Sequence, residues 1–402
     1  MPSTDDSTPP RQRVHIVDAL RGLALVGMLL VHFQYYVHDD SIWSLRVNEG
    51  INLIAVNRFY PLFAVLFGVG FTLQFTRWGE RPGFVKMYLR RLAGLIIIAI
   101  LLGALTGYRV LESYAFWALP LLAVRRWSNR DLVILLLICA FSRPAAEFAV
   151  WRWERMHVPV EQSNANVRAE SRASPNYHRE ADRLRDEGNF AQLALHRLRH
   201  NVGRFLDWRF YIPSDPFPLF ILGMIAVRSR IFDEPLKHRR LLIALITYGL
   251  IALIGTVLAI KVLPDGSDLR LTRSFRYLMF AIFDERFQGL AYAGIIILAT
   301  ARAITLPAMI RILAAPGRLS LTNYVMQVAI LETLFASSTP IISLNRWTAL
   351  LGVIVVFAAQ ILFSRWWISR FRFGPLEWLW RSFTFARMEP LRRDAAARSA
   401  RA

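Results

Sequence analysis

The 402 residues contain a single cysteine, Cys139, which excludes an intrachain disulfide framework and any multi-thiolate metal site. Acidic side chains are scarce beside basic ones, 29 against 49, so the chain carries a formal charge of +20. The basic residues sit in short clusters between apolar runs and do not gather on one module. That pattern argues against a nucleic-acid surface and fits loops at anionic lipid headgroups. Long polar stretches are missing except at residues 1–13, which read as a disordered tail, and at 151–209. No small-residue cleavage pattern follows the first apolar run, so that run is expected to be an uncleaved span. No inverted repeat is visible, which weighs against the commoner transporter plans.

What is present is apolar, at 55% hydrophobic residues with 27 Phe and 12 Trp. Apolar runs of about 20 residues recur from end to end, the signature of a polytopic α-helical membrane protein. The expectation is an all-α membrane bundle of about ten transmembrane helices with one charged extramembrane loop insertion. Residues 14–150 would form a five-helix half and 210–381 a second, the latter ending in an interfacial anchor; 382–402 would be a basic tail. Spans are expected at 19–37, 53–75, 92–105, 110–124, 132–150, 211–227, 241–262, 275–299, 319–341 and 347–367. The 151–209 segment carries a helix signal, with Asn189 as N-cap and Phe190, Ala194, Leu198, Val202 and Phe205 at helical spacing. The positive-inside rule places both termini in the cytoplasm, and the parity of ten spans then places the 151–209 segment outside despite its many arginines, since long loops obey the rule poorly.

The stretch Asp18-Ala-Leu-Arg-Gly-Leu-Ala-Leu-Val-Gly-Met-Leu-Leu-Val-His-Phe organises the chain. Residues eleven apart on a helix differ by only about 20° in direction, so Arg21 and His32 share a face, with Asp18 close by. His32 would lie roughly 16 Å deeper than Arg21. An ionisable group carried that far into an apolar span is a functional candidate. It reads either as a core histidine hydrogen-bonded to a neighbouring helix or as a general base. Asp18 and Arg21 read as a helix-end anchor or as a phosphate-binding mouth.

Asn57, Arg58 and Tyr60 at the start of the second span, and Arg109, Glu112 and Tyr114 at the start of the fourth, lie at the level His32 approaches. Together they are expected to line one outward-facing cavity. Arg109 and Glu112 also read as a simple pair. Asp284, Glu285 and Arg286 read as an internal ion pair or a solute path. Asn323 and Gln327 read as interhelical hydrogen-bonding groups or as support for a site. His38-Asp39-Asp40 has metal-ligand chemistry but no second cluster to complete a shell, so no metal is expected. Trp378 and Trp380 read as headgroup-level anchors.

Several separated pieces resemble the YeiB-type family of bacterial membrane proteins, whose domain is known as domain of unknown function 418. They are Asp18-Ala-Leu-Arg-Gly, Leu66-Phe-Gly, Gly317-Arg-Leu-Ser-Leu-Thr-Asn-Tyr and Phe373-Gly-Pro-Leu-Glu-Trp-Leu-Trp-Arg381. Glu187-Gly-Asn-Phe and Pro218-Leu-Phe-Ile-Leu-Gly-Met resemble it as well. The chain departs from the family's usual residues at His32, where Asn is usual, and at Arg109, where Asp is usual. The resemblance implies a membrane location and similarity to transmembrane acyltransferases such as the heparan glucosaminide acetyltransferase group. The expected function is therefore acyl transfer from a cytoplasmic thioester, with acyl-coenzyme A as donor, to a lipid or glycan acceptor. In that scheme His32 is the base and Arg21 steadies donor phosphate, while Arg109 or Arg58 polarises the reacting group. Transport of a small anionic or lipidic solute is the alternative. The lipid bilayer and its anionic lipids are the other partners expected; nothing in the sequence fixes an oligomeric state.

Overall fold

The computed structural model describes residues 10–37, 39, 41–108, 110–213, 215–262, 268–283, 286–301, 307–335 and 344–392. Among them there is no named strand, and two isolated bridges, Val37 with Leu344 and Phe371 with Arg392, are the only extended pairings. The helices are α1 (Pro10–Gln34), α2 (Ile42–Ile54), α3 (Phe59–Trp78), α4 (Phe84–Thr106), α5 (Val110–Trp117) and α6 (Leu121–Val124). They continue with α7 (Asn129–His157), α8 (Val160–Asp186), α9 (Phe190–Arg204), α10 (Phe217–Arg228) and α11 (Arg239–Val262). The last are α12 (Leu269–Ile282), α13 (Arg286–Ala301), α14 (Ala308–Arg318), α15 (Ser320–Phe335), α16 (Arg346–Arg370) and α17 (Pro375–Phe385).

Five stretches among the described residues are long and apolar enough to cross a membrane: His15–Gln34, Ile42–Trp78, Phe84–Thr106, Asn129–His157 and Arg346–Arg370. Three shorter apolar stretches, Val110–Val124, Phe217–Arg228 and Arg286–Ala301, accompany them. Several expected spans have different bounds. The second is broken at residues 55–58, where Asn57 takes a φ of 60°, and its apolar helix starts at Phe59. The eighth is two helices, because α12 ends at Ile282 and α13 begins at Arg286. The amphipathic α14 fills a stretch that the search for apolar runs passed over.

The 151–209 segment is mostly helix. α7 runs through the expected boundary to His157, and α8 and α9 form a hairpin with Ala181, Leu184 and Leu193 at its centre. Asn189 does cap α9, its side chain accepting from the Gln192 N–H. The buried face of α9, however, is Leu193, Arg197 and Asn201, while Phe190 and Val202 of the expected apolar stripe are exposed. Arg197 and Asn201 turn inward because the end of α4 and the start of α5 offer partners. Arg197 donates to the Leu105 carbonyl, and Asn201 donates to Glu112 at 3.3 Å.

The hairpin is tied to the bundle by ion pairs. Arg273 of α12 pairs with Glu170 of α8, as does Arg270 at 3.5 Å, and Arg270 also makes a two-pronged bond to Glu154 of α7 at 2.9 and 3.0 Å; Arg209, just past α9, pairs with Glu170 at 3.0 Å. Burial acts to raise the Glu170 carboxyl, but the Arg273, Arg209 and Arg270 guanidinium groups hold it below the usual carboxylate range.

At the centre, α1 packs against α3, α13, α14, α15 and α16. Its tightest seam is with α14. A Cβ at Gly22 would lie 2.0 Å from the Leu313 carbonyl oxygen, and one at Gly317 would lie 1.7 Å from that of Asp18. Only glycine lets two helix backbones approach so closely.

Candidate functional site

Two cavities meet inside this bundle. The first, about 1140 Å³, opens between the α8–α9 hairpin and the ends of α1, α4 and α15. Its wall is rich in tyrosine (Tyr35, Tyr36, Tyr60, Tyr108, Tyr114 and Tyr177) and carries Asp182, Arg185, Asp186, Arg197, Arg204, Asp215 and Glu332. Glu332 of α15 gathers three partners there: Arg185 at 3.4 Å, Tyr36 at 3.5 Å, and Arg197. The charge in this vestibule is therefore largely balanced within its own wall.

The second cavity, about 230 Å³, lies at the other end, between α1, α3, α4, α15 and α17. Arg21, Arg91 and Arg318 converge on it, with Glu377, Trp380, Ser320 and Tyr324. Arg21 is bonded to Asp18 at 3.0 Å, so the expected helix-end pair exists, and its guanidinium still reaches the cavity. The Arg91 guanidinium stacks 3.7 Å from the centroid of the Trp380 ring, and the Trp380 indole N–H donates to the Arg91 carbonyl at 2.7 Å. Trp380 is thus an inward-facing wall of the cavity and not only a headgroup-level anchor. Glu377 reaches from α17 to the start of α15, accepting from the Leu321 and Thr322 N–H groups at 2.7 and 3.1 Å and from the Thr322 hydroxyl at 2.5 Å.

The cavities share Tyr60, Val110 and Tyr114 as wall. Tyr60 stands in the first turn of α3, and the Tyr114 hydroxyl of α5 donates to its carbonyl at 2.8 Å. The Tyr60 hydroxyl donates to Asp215, just before α10. Gly70, beside the Arg21 guanidinium, is ten residues further along α3, so the slot from neck to Arg21 is roughly 15 Å long.

The expected single cavity is assembled only in part. Tyr60 and Tyr114 line it. His32 is 7% exposed, lines neither cavity, and stands behind their walls, its ring 4.6 Å from Tyr108 and 6.3 Å from Tyr324. Arg58, 1% exposed, is turned away, donating to Gln288 at 2.5 Å and to the Asn52 carbonyl at 2.8 Å. Asn57 is an exposed turn residue. Glu112 faces Asn201 of α9. Arg109, Asp284 and Glu285 lie outside the described residues, as do His38 and Asp40; Arg286 is the first residue of α13. Asn323 bonds Ser364 at 3.0 Å and Gln327 bonds Gln360 at 2.8 Å, so both join α15 to α16. Among the described residues no group of three His, Cys, Asp or Glu side chains could hold a metal ion.

Sequence reasoning missed Arg91, Asp215 and Glu332, whose roles depend on contacts between distant helices, and it read Trp380 as an anchor and not as cavity wall. Arg318, Ser320, Leu321, Tyr324, Glu377 and Trp380 were within reach, since they belong to the quoted motifs. Arg21, Leu66 and Phe67 belong to the other two, so four separated motifs bound one cavity.

Two family models match separate parts of the chain. Residues 226–387 match the family model described as Protein of unknown function (DUF418), and residues 13–151 match Heparan-alpha-glucosaminide N-acetyltransferase, catalytic. The chain is 26% identical to the Uncharacterized protein YxaH of Bacillus subtilis (strain 168), over 96% of this chain and 97% of the relative. It is 44% identical to the Uncharacterized protein YeiB of Escherichia coli (strain K12), over 19% of this chain and 20% of that protein. An uncharacterized 39.9 kDa protein of Bacillus acidopullulyticus is 23% identical over 94% of this chain and 96% of its own length. No solved structure matches the chain.

Proposed function

We propose, from a YeiB-like chain whose amino-terminal part matches an acetyltransferase catalytic model, that this membrane protein transfers an acyl group between its two cavities. The observation that carries the reading is the shared wall at Tyr60, Val110 and Tyr114, where the two cavities meet. The donor enters at Arg21, Arg91 and Arg318. Three guanidinium groups suit the phosphates of an acyl-coenzyme A, since Arg binds phosphate oxygens through paired N–H donors. Its thioester arm lies along the slot beside α3 and presents the acyl carbon at the neck. The acceptor, a lipid or glycan hydroxyl or amine, approaches through the tyrosine-lined vestibule.

This scheme has the Arg21 end cytoplasmic, with both termini on that side of an inner membrane, and the α8–α9 hairpin beyond the opposite face. The arginines of the long segment that carries the hairpin weigh little against that orientation, because long loops translocate largely regardless of charge. In a ten-span bundle the three shorter apolar stretches and the helices α11 and α15 supply the remaining crossings. A transport reading keeps the shared wall of the two cavities but loses Arg58, whose guanidinium is committed to Gln288 and backbone carbonyls.

Purified protein in nanodiscs, given radiolabelled acyl-coenzyme A and a membrane lipid extract, tests the proposal. Thiol release coupled to label transfer is expected, and Arg21→Ala, Arg91→Ala and Arg318→Ala should each raise KM for the donor. Accumulation of a solute in proteoliposomes, with no thiol released, would replace acyl transfer with transport.

A further inference from the structure

Acyl transfer to a hydroxyl or amine requires a proton acceptor where the acyl carbon meets the nucleophile. The meeting place is the neck; His32 lines neither cavity, and His178 lines the vestibule from the α8 side, whereas the neck itself is walled by Tyr60, Val110 and Tyr114. One carboxylate does stand there. Asp215 lines the vestibule and accepts the hydroxyl proton of Tyr60, a residue common to both cavity walls.

The pair is built from three elements. Tyr60 comes from the first turn of α3 and Asp215 from the segment that leads into α10. Tyr114 of α5 fixes the Tyr60 backbone through the carbonyl. α3 and α10 are locked by reciprocal glycine contacts: a Cβ at Gly68 would lie 2.0 Å from the Phe220 carbonyl oxygen, and one at Gly223 would lie 2.0 Å from that of Val65. A phenol on a helix and a carboxylate two residues before another, with the two helices locked together, can relay a proton without rearranging the backbone.

We propose that Asp215, acting through the Tyr60 hydroxyl, is the general base of the transfer; the proposal rests on the acyl-transfer reading. The acceptor's proton passes to the Tyr60 oxygen as the Tyr60 proton passes to Asp215. The acceptor oxygen or nitrogen forms its bond to the acyl carbon, and the carbon–sulfur bond breaks. The Asp215 proton then returns through Tyr60 to the departing thiolate, leaving ester or amide, free thiol and the original pair. His32 packs against Tyr108 and Tyr324 behind the two walls and takes no part in the transfer.

The test uses the full chain in nanodiscs, with acetyl-coenzyme A as donor probe and two acceptor probes. Octyl glucoside presents a hydroxyl that must be deprotonated, whereas hydroxylamine attacks a thioester without a base. Asp215→Asn should slow transfer to octyl glucoside by about 10²–10⁴-fold, the usual contribution of a positioned acid–base group. It should leave transfer to hydroxylamine and the melting-temperature shift on adding coenzyme A unchanged. Asp215→Glu should recover part of the octyl glucoside rate, Tyr60→Phe should lose it, and His32→Asn should retain it. Equal loss of both acceptors in Asp215→Asn would reduce the pair to a structural contact and overturn the proposal. So would a wild-type rate in that variant, or the large selective loss arising in His32→Asn instead. No thiol release above the protein-free rate from wild type with either acceptor would sink acyl transfer and this proposal together, whereas protein-dependent turnover indifferent to Asp215 would sink this proposal alone.

Discussion

Replacing Gly22 by alanine adds one methyl group to a seam where there is no room for it. The added Cβ would sit 2.0 Å from the Leu313 carbonyl oxygen, and ordinary contact begins at 3.4 Å. The obstacle is backbone, so no side-chain rotation relieves it; α1 and α14 must part by about 1.4 Å. Overpacking of a tight interior typically costs about 1–3 kcal/mol, and a rigid obstacle belongs at the upper end. Alanine's better helix propensity returns at most about 1 kcal/mol, so the net loss should be about 2 kcal/mol. Gly50 supplies the control, because it lies on exposed α2 with nothing within 4 Å of its added Cβ. Gly50→Ala gains the same propensity and pays no clash, so it should hold or raise the melting temperature while Gly22→Ala lowers it. Both are read by thermal unfolding in one detergent. Because Arg21 and Arg318 adjoin the two seam glycines, Gly22→Ala should also raise KM for the donor in whatever fraction stays folded. Equal melting temperatures for the two variants would show that the α1–α14 seam is not the contact described.

Glu377→Ala strips the acceptor from three donors at the start of α15 and should destabilise by about 1–3 kcal/mol, whereas Glu377→Gln keeps one carboxamide oxygen as acceptor and should lose less; equal melting temperatures for the two variants would refute the capping role. Glu170 has its carboxyl held below the ordinary value of 4.5, so its contribution is present above that pH and is lost as pH falls through the lowered value. Wild type should therefore show increasing protease cutting in the α8–α9 hairpin as pH drops below about 4.5, and Glu170→Gln should show raised cutting already at pH 7 with a shallower acid response. A parallel acid response in both proteins would remove Glu170 from the acid transition.

The composition made the all-α membrane character legible because apolar runs report it locally. It did not make span bounds legible where polar demands interrupt a run. At Asn57 the chain turns, and Arg58 immediately beyond it is buried against Gln288 of α13, a contact no local pattern predicts. Asn189 was readable as a cap because capping is settled within three residues. The face of α9 was not, since periodicity finds the apolar stripe but assumes that it points inward. Here the end of α4 draws Arg197 in and Glu112 of α5 draws Asn201 in, leaving Phe190 and Val202 exposed.

The candidate site divides along the same line. Arg21 was legible because its motif is local, and the four motifs were recognisable one at a time. That they surround one cavity follows from how they pack. Gly22 and Gly317 bring the first and third together; Glu377 of the fourth caps the helix begun by the third; and Gly70, two residues past the second, lies beside Arg21. The residues that make the seam are therefore neighbours of those that line the cavity, and substitution of either kind reaches the other. His32 was singled out because it is the one ionisable group in an apolar stretch, a rule that finds costly residues without saying which wall they face. Asp215 escaped notice because a carboxylate in a Pro-rich turn reads as solvated loop. Only the packing of α10 against α3 brings it to Tyr60 and so to the place where the two cavities join.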